Sequence, residues 1–168
     1  MNLIVVVDKE YGIGCDGGLL VNLKEDMEYF KNKTIGKIVV MGRKTLESLP
    51  QKKPLKDRIN IVLTSDKNYK KDNCIIVNSK DELFKIIEKY NDDDVFIIGG
   101  EKIYNEFEKY CKFAYITKVY KTYKSDKKLF NIDKDEKWIL KDKGEKIISK
   151  NNIEFNFNVY ENEKVASR

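Results

Sequence analysis

Histidine is absent from this chain. Its absence removes Ser-His-Asp triads, His-liganded metals and imidazole proton carriers, so proton chemistry falls to carboxylate, Lys, Tyr, Cys or water. Cysteine is scarce: Cys15, Cys74 and Cys111 are far apart, odd in number and form no C-x-x-C pair. Neither a disulfide framework nor a zinc cluster is expected, no metal enters the reading, and a reducing cytoplasm is the natural compartment. No apolar run approaches the ~18 residues that a membrane span needs, and no basic segment precedes "NLIVVVD", so no membrane anchor or signal peptide is expected. Proline occurs only at Pro50 and Pro54, and there are no Pro/Ser linkers, repeats or low-complexity tracts. Arginine is rare among 33 Lys+Arg, found only at Arg43, Arg58 and Arg168. The two internal positions use a planar fork where lysine is the habitual choice, which suits a gripped carboxylate or phosphate. The net charge of +5 is spread along the chain as a solvated surface. With no basic stripe carrying interleaved aromatics, nucleic acid is not an expected partner.

At 168 residues the chain fits one domain that can bury a full core. Short Val/Ile-rich runs alternate with helical patterns: "NLIVVVD", "KIVVM", "INIVLTS", "CIIV" and "VFIIGG" read as strands, and "LKEDMEYFKNK", "KTLESL", "KDELFKIIEKY" and "KIYNEFEKY" as helices. Such alternation predicts an α/β single domain with a mixed, mainly parallel central sheet and helices on both faces. Beyond it, "FAYITKVY", "KWILKDKGEKII" and "IEFNFNVYE" follow without helices, so the sheet should end in antiparallel strands. The domain is expected over 1–162, with 163–168 a disordered tail.

In "GIGCDGGLLVNLKEDMEYFK" a glycine-rich segment leads into an amphipathic helix carrying Asp26. Asn22 is the expected cap, with Glu25 completing a capping box, which sets Asp26 in the first turn on the side of Met27 and Phe30. An acid beside an apolar face, under a flexible loop, is a common site design. Two other junctions share the layout strand, glycine, helix: Gly42 before Arg43, Lys44 and Thr45, and Gly99-Gly100 before Lys102 to Tyr104. Helix N-termini approached by glycine suit phosphate. Neither matches G-x-G-x-x-G or the P-loop, but together they could hold an extended diphosphate, with Thr64 and Ser65 bringing hydroxyls nearby. Arg58, at the foot of a strand, is placed to bind a carboxylate.

With "IVVVDKEYGIGCDGGLL", "NLKEDMEYFK", "VVMGRKTLESL", "PLKDRINIVLTS", "VFIIGGEKIYNEF" and "AYITKV" in order, the chain resembles the dihydrofolate reductases over nearly its full length. The resemblance implies NADPH-dependent reduction of 7,8-dihydrofolate to tetrahydrofolate by a cytoplasmic monomer. Asp26 would pair with the pterin 2-amino group and N3 and favour protonation of N5 through water, and Thr117 would support it. Ile4, Met27, Phe30, Leu49, Leu55 and Ile98 would line the pterin and benzoyl pocket, with Lys31 and Tyr104 beside it and Arg58 on the glutamate α-carboxylate. Val6, Ile13, Gly14, Gly18 and Leu19 would meet nicotinamide and ribose. Gly42 to Thr45 and the stretch Gly99, Gly100, Glu101, Lys102, Ile103 and Tyr104 would take the diphosphate. Arg43, Lys44, Leu63, Thr64 and Ser65 would surround the 2′-phosphate end.

The chain departs from the family's Pro-Trp after the loop glycines, with Leu20 and Val21 in those places, which implies one fewer anchor for a water near the pterin carbonyl. "SDKKLF" is one residue longer than the family's Asp-x-x-Phe, which would set Asp126 off the mobile loop. Two other readings are a pyrimidine reductase of riboflavin synthesis, which needs neither the Asp26 helix nor Arg58, and a pterin-binding paralogue without turnover, which Val21 would suit.

Overall fold

The computed structural model describes Met1–Arg168. In chain order the elements are β1 (Asn2–Val7), β2 (Gly12–Cys15), β3 (Gly18–Leu19), α1 (Lys24–Thr34), β4 (Ile38–Gly42), α2 (Arg43–Ser48), β5 (Ile59–Leu63), β6 (Cys74–Val77) and α3 (Lys80–Ile87). They continue with β7 (Val95–Ile97), α4 (Glu101–Phe107), β8 (Phe113–Val119), β9 (Lys127–Lys128), β10 (Trp138–Lys143), β11 (Ile147–Ile148) and β12 (Glu154–Asn162). The main sheet has nine strands in the order β10-β12-β8-β1-β7-β4-β5-β6, with β11 on β12. Strands β8, β1, β7, β4, β5 and β6 run parallel, and β12 and β10 close the edge antiparallel. The predicted mixed sheet is therefore what forms.

Both faces are covered, which is why the parallel strands read as continuous apolar runs rather than alternating ones. Val40, Ile61 and Ile97 share one core with Leu83 and Phe84 of α3 and Ile103 and Phe107 of α4. Val39, Met41 and Val62 pack with Leu46 of α2 on the other face. Register places Ile4 opposite Tyr115 and Val6 opposite Thr117, so Ile4 and Val6 look toward α1 while Leu3, Val5 and Val7 enter the larger core. Adjacent parallel strands bring the C-terminal ends of β1, β7, β4 and β5 into one crevice rim, where open α/β sheets bind ligands. No helix is long and apolar enough to cross a membrane.

A second sheet, β3-β2-β9, was not legible in the pattern. The C-terminal residues 163–168 lie against the body of the chain. The Glu163 N–H donates to the Lys137 carbonyl at 2.9 Å and the Ala166 N–H to the Lys109 carbonyl at 2.8 Å. Arg168 pairs with Asp92 and lies over the Phe84 ring. These contacts pair the Glu163 and Ala166 N–H groups and place the Arg168 cation.

Candidate active site

Helix α1 begins at Lys24, after Leu23, without a side-chain cap. The expected Asn22 cap and Glu25 capping box do not form, because buried Leu23 takes the boundary position and its carbonyl accepts the Met27 N–H at 3.0 Å. Asp26 nevertheless lies in the first turn. Its carboxylate faces β8, where the Thr117 hydroxyl donates to Oδ1 at 2.6 Å. Thr117 is buried. Burial pushes the Asp26 carboxyl above the usual carboxylate range and the Thr117 bond offsets part of that rise. Beside it, the buried Tyr104 hydroxyl donates to the Ile4 carbonyl at 2.8 Å. These four residues come from α1, β8, α4 and β1, so the acid stands where the two halves of the sheet meet.

Leu49, Leu55 and Ile98 pack together against the α2-side core and form an apolar wall. Met27 is 57% exposed, which puts it on the open side of the cleft rather than in a packed wall, and Lys31 is exposed too. Arg58 reaches back to α1: its Nε donates to Thr34 Oγ1 at 2.9 Å and its guanidinium lies 5.8 Å from the Phe30 ring centroid. Two positioning residues escaped the sequence reading. Thr34 is buried and bonds the Phe30 carbonyl at 2.8 Å while holding Arg58. Buried Asn60 fixes the preceding loop, accepting the Leu55 N–H and donating to the Leu55 and Arg58 carbonyls. Its signal was a lone polar residue inside "INIVL".

At the cofactor end the two glycine junctions touch. The Gly42 N–H donates to the Gly99 carbonyl at 2.9 Å. A Cβ on Gly99, whose φ is +119°, would lie 3.2 Å from the Tyr104 ring, and one on Gly100 would lie 3.4 Å from Thr45 Oγ1. Neither α2 nor α4 has a side-chain cap, so their first N–H groups have no side-chain partner there. Arg43 stands beside them, meeting Glu47 and Asp66 only at 4.0 Å. Lys44, Ser65 and Lys102 are exposed around the same rim, with Thr64 half-buried. Free amides, close backbone and excess cation fit an anionic dinucleotide. Glu101 has another duty, since its carboxylate accepts the Lys128 N–H at 2.9 Å and ties α4 to β9.

Ile13 and Gly14 are buried in β2, whereas Gly18 and Leu19 are exposed at the loop tip. Asp8, also missed, accepts the Gly12 N–H at 2.8 Å and the Tyr123 N–H at 3.0 Å, fixing the start of this loop. Asp126 does contact the loop, contrary to expectation: its carboxylate accepts the Asp16 N–H and its N–H donates to the Gly14 carbonyl, both at 3.0 Å. The extra residue is absorbed without moving it away. Val21 is buried with Leu23, Val119 and Phe155, and a Cβ on Gly12 would come within 2.7 Å of Leu20 Cδ1. Leu20-Val21 is thus moulded to its surroundings. Val21→Trp should overpack this cluster and cost roughly 1–3 kcal/mol, read by denaturant unfolding. An unchanged or higher stability would show that the loop has room for the larger ring.

Comparison with known proteins agrees with this geometry. The family profile described as Dihydrofolate reductase matches residues 1–162. A dihydrofolate reductase of Staphylococcus haemolyticus is 39% identical over 163 residues, covering 96% of this chain and 95% of that protein. One from Bacillus subtilis (strain 168) is 32% identical over 162 residues, covering 96% and 94%. The solved dihydrofolate reductase from Enterococcus faecalis, complexed with NADP(H) and RAB-propyl, superposes with a TM-score of 0.86 at 28% identity, covering 96% of this chain and 95% of that one. A sheet of this order, an acid held by a strand threonine and two touching glycine junctions are what this match spans, and the chain belongs to the dihydrofolate reductase family.

Proposed function

We infer that this chain reduces 7,8-dihydrofolate to 5,6,7,8-tetrahydrofolate with NADPH. The observation that carries the reading is the Asp26–Thr117 pair in an apolar cleft that adjoins the two uncapped helix starts. NADPH, when bound, supplies the hydride. The chain's own residues bind, orient and hold charge. Asp26 accepts the pterin 2-amino group and N3 and favours the protonated pterin, while Thr117 keeps its carboxylate turned inward. No side-chain acid other than Asp26 is assigned to the pterin, so water brings the proton to N5. Ile4, Phe30, Leu49, Leu55 and Ile98 hold the ring and benzoyl group away from solvent. Gly42 to Thr45 and Gly99 to Tyr104 orient the diphosphate.

A monomer acting in the cytoplasm, with dihydrofolate as its partner and no nucleic acid, completes the reading. It is supported by three free thiols and dispersed positive charge. The pyrimidine-reductase reading gives no task to the Asp26–Thr117 pair or to Arg58, and the non-catalytic reading has only Val21 in its favour.

The test is the loss of NADPH absorbance on adding dihydrofolate. Wild type should prefer NADPH to NADH in kcat/KM, and Arg43→Ala should shrink that preference by about fivefold, since a half-exposed ion pair contributes up to ~1 kcal/mol. Equal use of both cofactors by wild type would reject this phosphate site.

A further inference from the structure

One polar cluster lies outside the substrate cleft and touches the loop that enters it. Tyr11 directly precedes Gly12 and β2 and adopts a left-handed backbone, φ 64°. Its N–H donates to the Asp8 carbonyl at 3.1 Å and its carbonyl accepts the Leu129 N–H at 2.8 Å. Its ring packs against the larger core, and its hydroxyl donates to Asp133 Oδ2. Asp133 sits in the short 3-10 turn Ile132–Lys134. The same carboxylate receives the Lys118 ammonium on Oδ2 and the buried Tyr160 hydroxyl on Oδ1 at 2.7 Å. Lys118 Nζ is also 5.3 Å from the Tyr11 ring centroid.

This concentration of donors is unusual for a side chain that is 39% exposed. Burial alone would raise the Asp133 carboxyl, but the bonds from Lys118, Tyr11 and Tyr160 bring it below the usual carboxylate range. The placement along β8 is informative. Thr117 points to the substrate face and holds Asp26, while its neighbour Lys118 points to the opposite face and holds Asp133. Of the three groups on Asp133, Tyr160 belongs to β12 and Lys118 to β8, both fixed in the main sheet, and only Tyr11 belongs to the loop. A residue in left-handed conformation favours release unless its side chain is held.

We propose that Asp133 is a positioning residue for the nicotinamide-side strand Gly12–Cys15, acting through the Tyr11 hydroxyl. The proposal rests on the reading that Ile13 and Gly14 meet the nicotinamide end of the cofactor. The rigid sheet supplies the anchor, and the loop takes its register from it.

The test compares Tyr11→Phe, Asp133→Ala, the double variant and Tyr160→Phe. Tyr11→Phe keeps the ring in the core and removes only the bond, so it guards against loss of folding in Asp133→Ala, which leaves the Tyr11 hydroxyl no acceptor at that position. In the ligand-free protein, Tyr11→Phe and Asp133→Ala should each speed amide exchange at Ile13 and Gly14, and each should weaken NADPH in calorimetry, by roughly 3–10-fold, the effect of one lost hydrogen bond. KM for dihydrofolate should stay unchanged. The double variant should be no worse than the worse single one, because both changes cut one link. Tyr160→Phe should lower the unfolding midpoint while leaving exchange and NADPH affinity alone. Unchanged exchange in Tyr11→Phe, additive losses in the double variant, or an equal loosening by Tyr160→Phe would each overturn the proposal. Failure of wild type to bind NADPH would remove the underlying cofactor reading, and the exchange rates would still decide the role of Asp133.

Discussion

Asp26→Asn should lower turnover near neutral pH by about 10²–10⁴-fold, the contribution of a positioned acid-base group, while leaving the fold intact. Asparagine keeps the shape and can still accept the Thr117 hydroxyl, but it carries no charge to stabilise a protonated pterin. The same change should stabilise the ligand-free protein at neutral pH. Burial raises the Asp26 carboxyl above its ordinary value, only partly offset by Thr117. A raised carboxyl contributes stability that is present below its unfolded pKa, about 3.9, and lost as pH rises through the folded value. At neutral pH wild type has suffered that loss and the asparagine variant has not. The stability gap should therefore close as the pH is lowered past the folded value. Kinetics and urea unfolding across pH give both readouts. Near-normal turnover in Asp26→Asn would remove the carboxylate from the mechanism, and a variant less stable at neutral pH would mean that the charged form is stabilised in the fold.

The opposite signs explain why this acid reads so weakly in local sequence. A first-turn Asp is ordinarily a dipole-stabilised surface residue, and only the strand threonine 91 positions away reveals it as a half-buried one. Local pattern was sufficient for the sheet, because fully buried parallel strands write continuous Val/Ile runs. It was insufficient for β2, β3 and β9, whose short pairings join glycine-rich and lysine-rich segments without periodicity. The cap of α1 was misread for a related reason: Asn22 and Glu25 have the right chemistry, but burial of Leu23 decides where the helix starts. The bonds of Thr34, Asp8 and Asp133 were illegible because their backbone or side-chain partners are fixed only by tertiary structure, whereas Asn60 left one trace, a polar residue inside an apolar strand. The glycine junctions were visible one at a time, whereas their mutual contact depends on β4 and β7 being neighbours in the sheet.

Arg58→Lys should weaken dihydrofolate binding by roughly 1.5–3 kcal/mol, on the order of 10–150-fold, with little change in NADPH affinity. The arginine is already half-committed: Nε goes to Thr34 at 2.9 Å, Nη1 to the Lys56 carbonyl at 3.1 Å, and the face lies over Phe30. No carboxylate of the chain comes within 4.0 Å of it, although burial lowers its pKa and only Asp57, farther off, opposes that effect. A part-buried cation held rigid yet left unpaired is prepared for an incoming anion. Lysine cannot hold Thr34 and present a planar fork at once, so it would lose both the geometry and the preorganisation. The discriminating substrate is a dihydropterin without the glutamate, whose reduction should be indifferent to the change. If both substrates lost affinity equally, Arg58 would be acting on the pocket wall through Phe30 and Thr34, and the carboxylate would have to be gripped elsewhere.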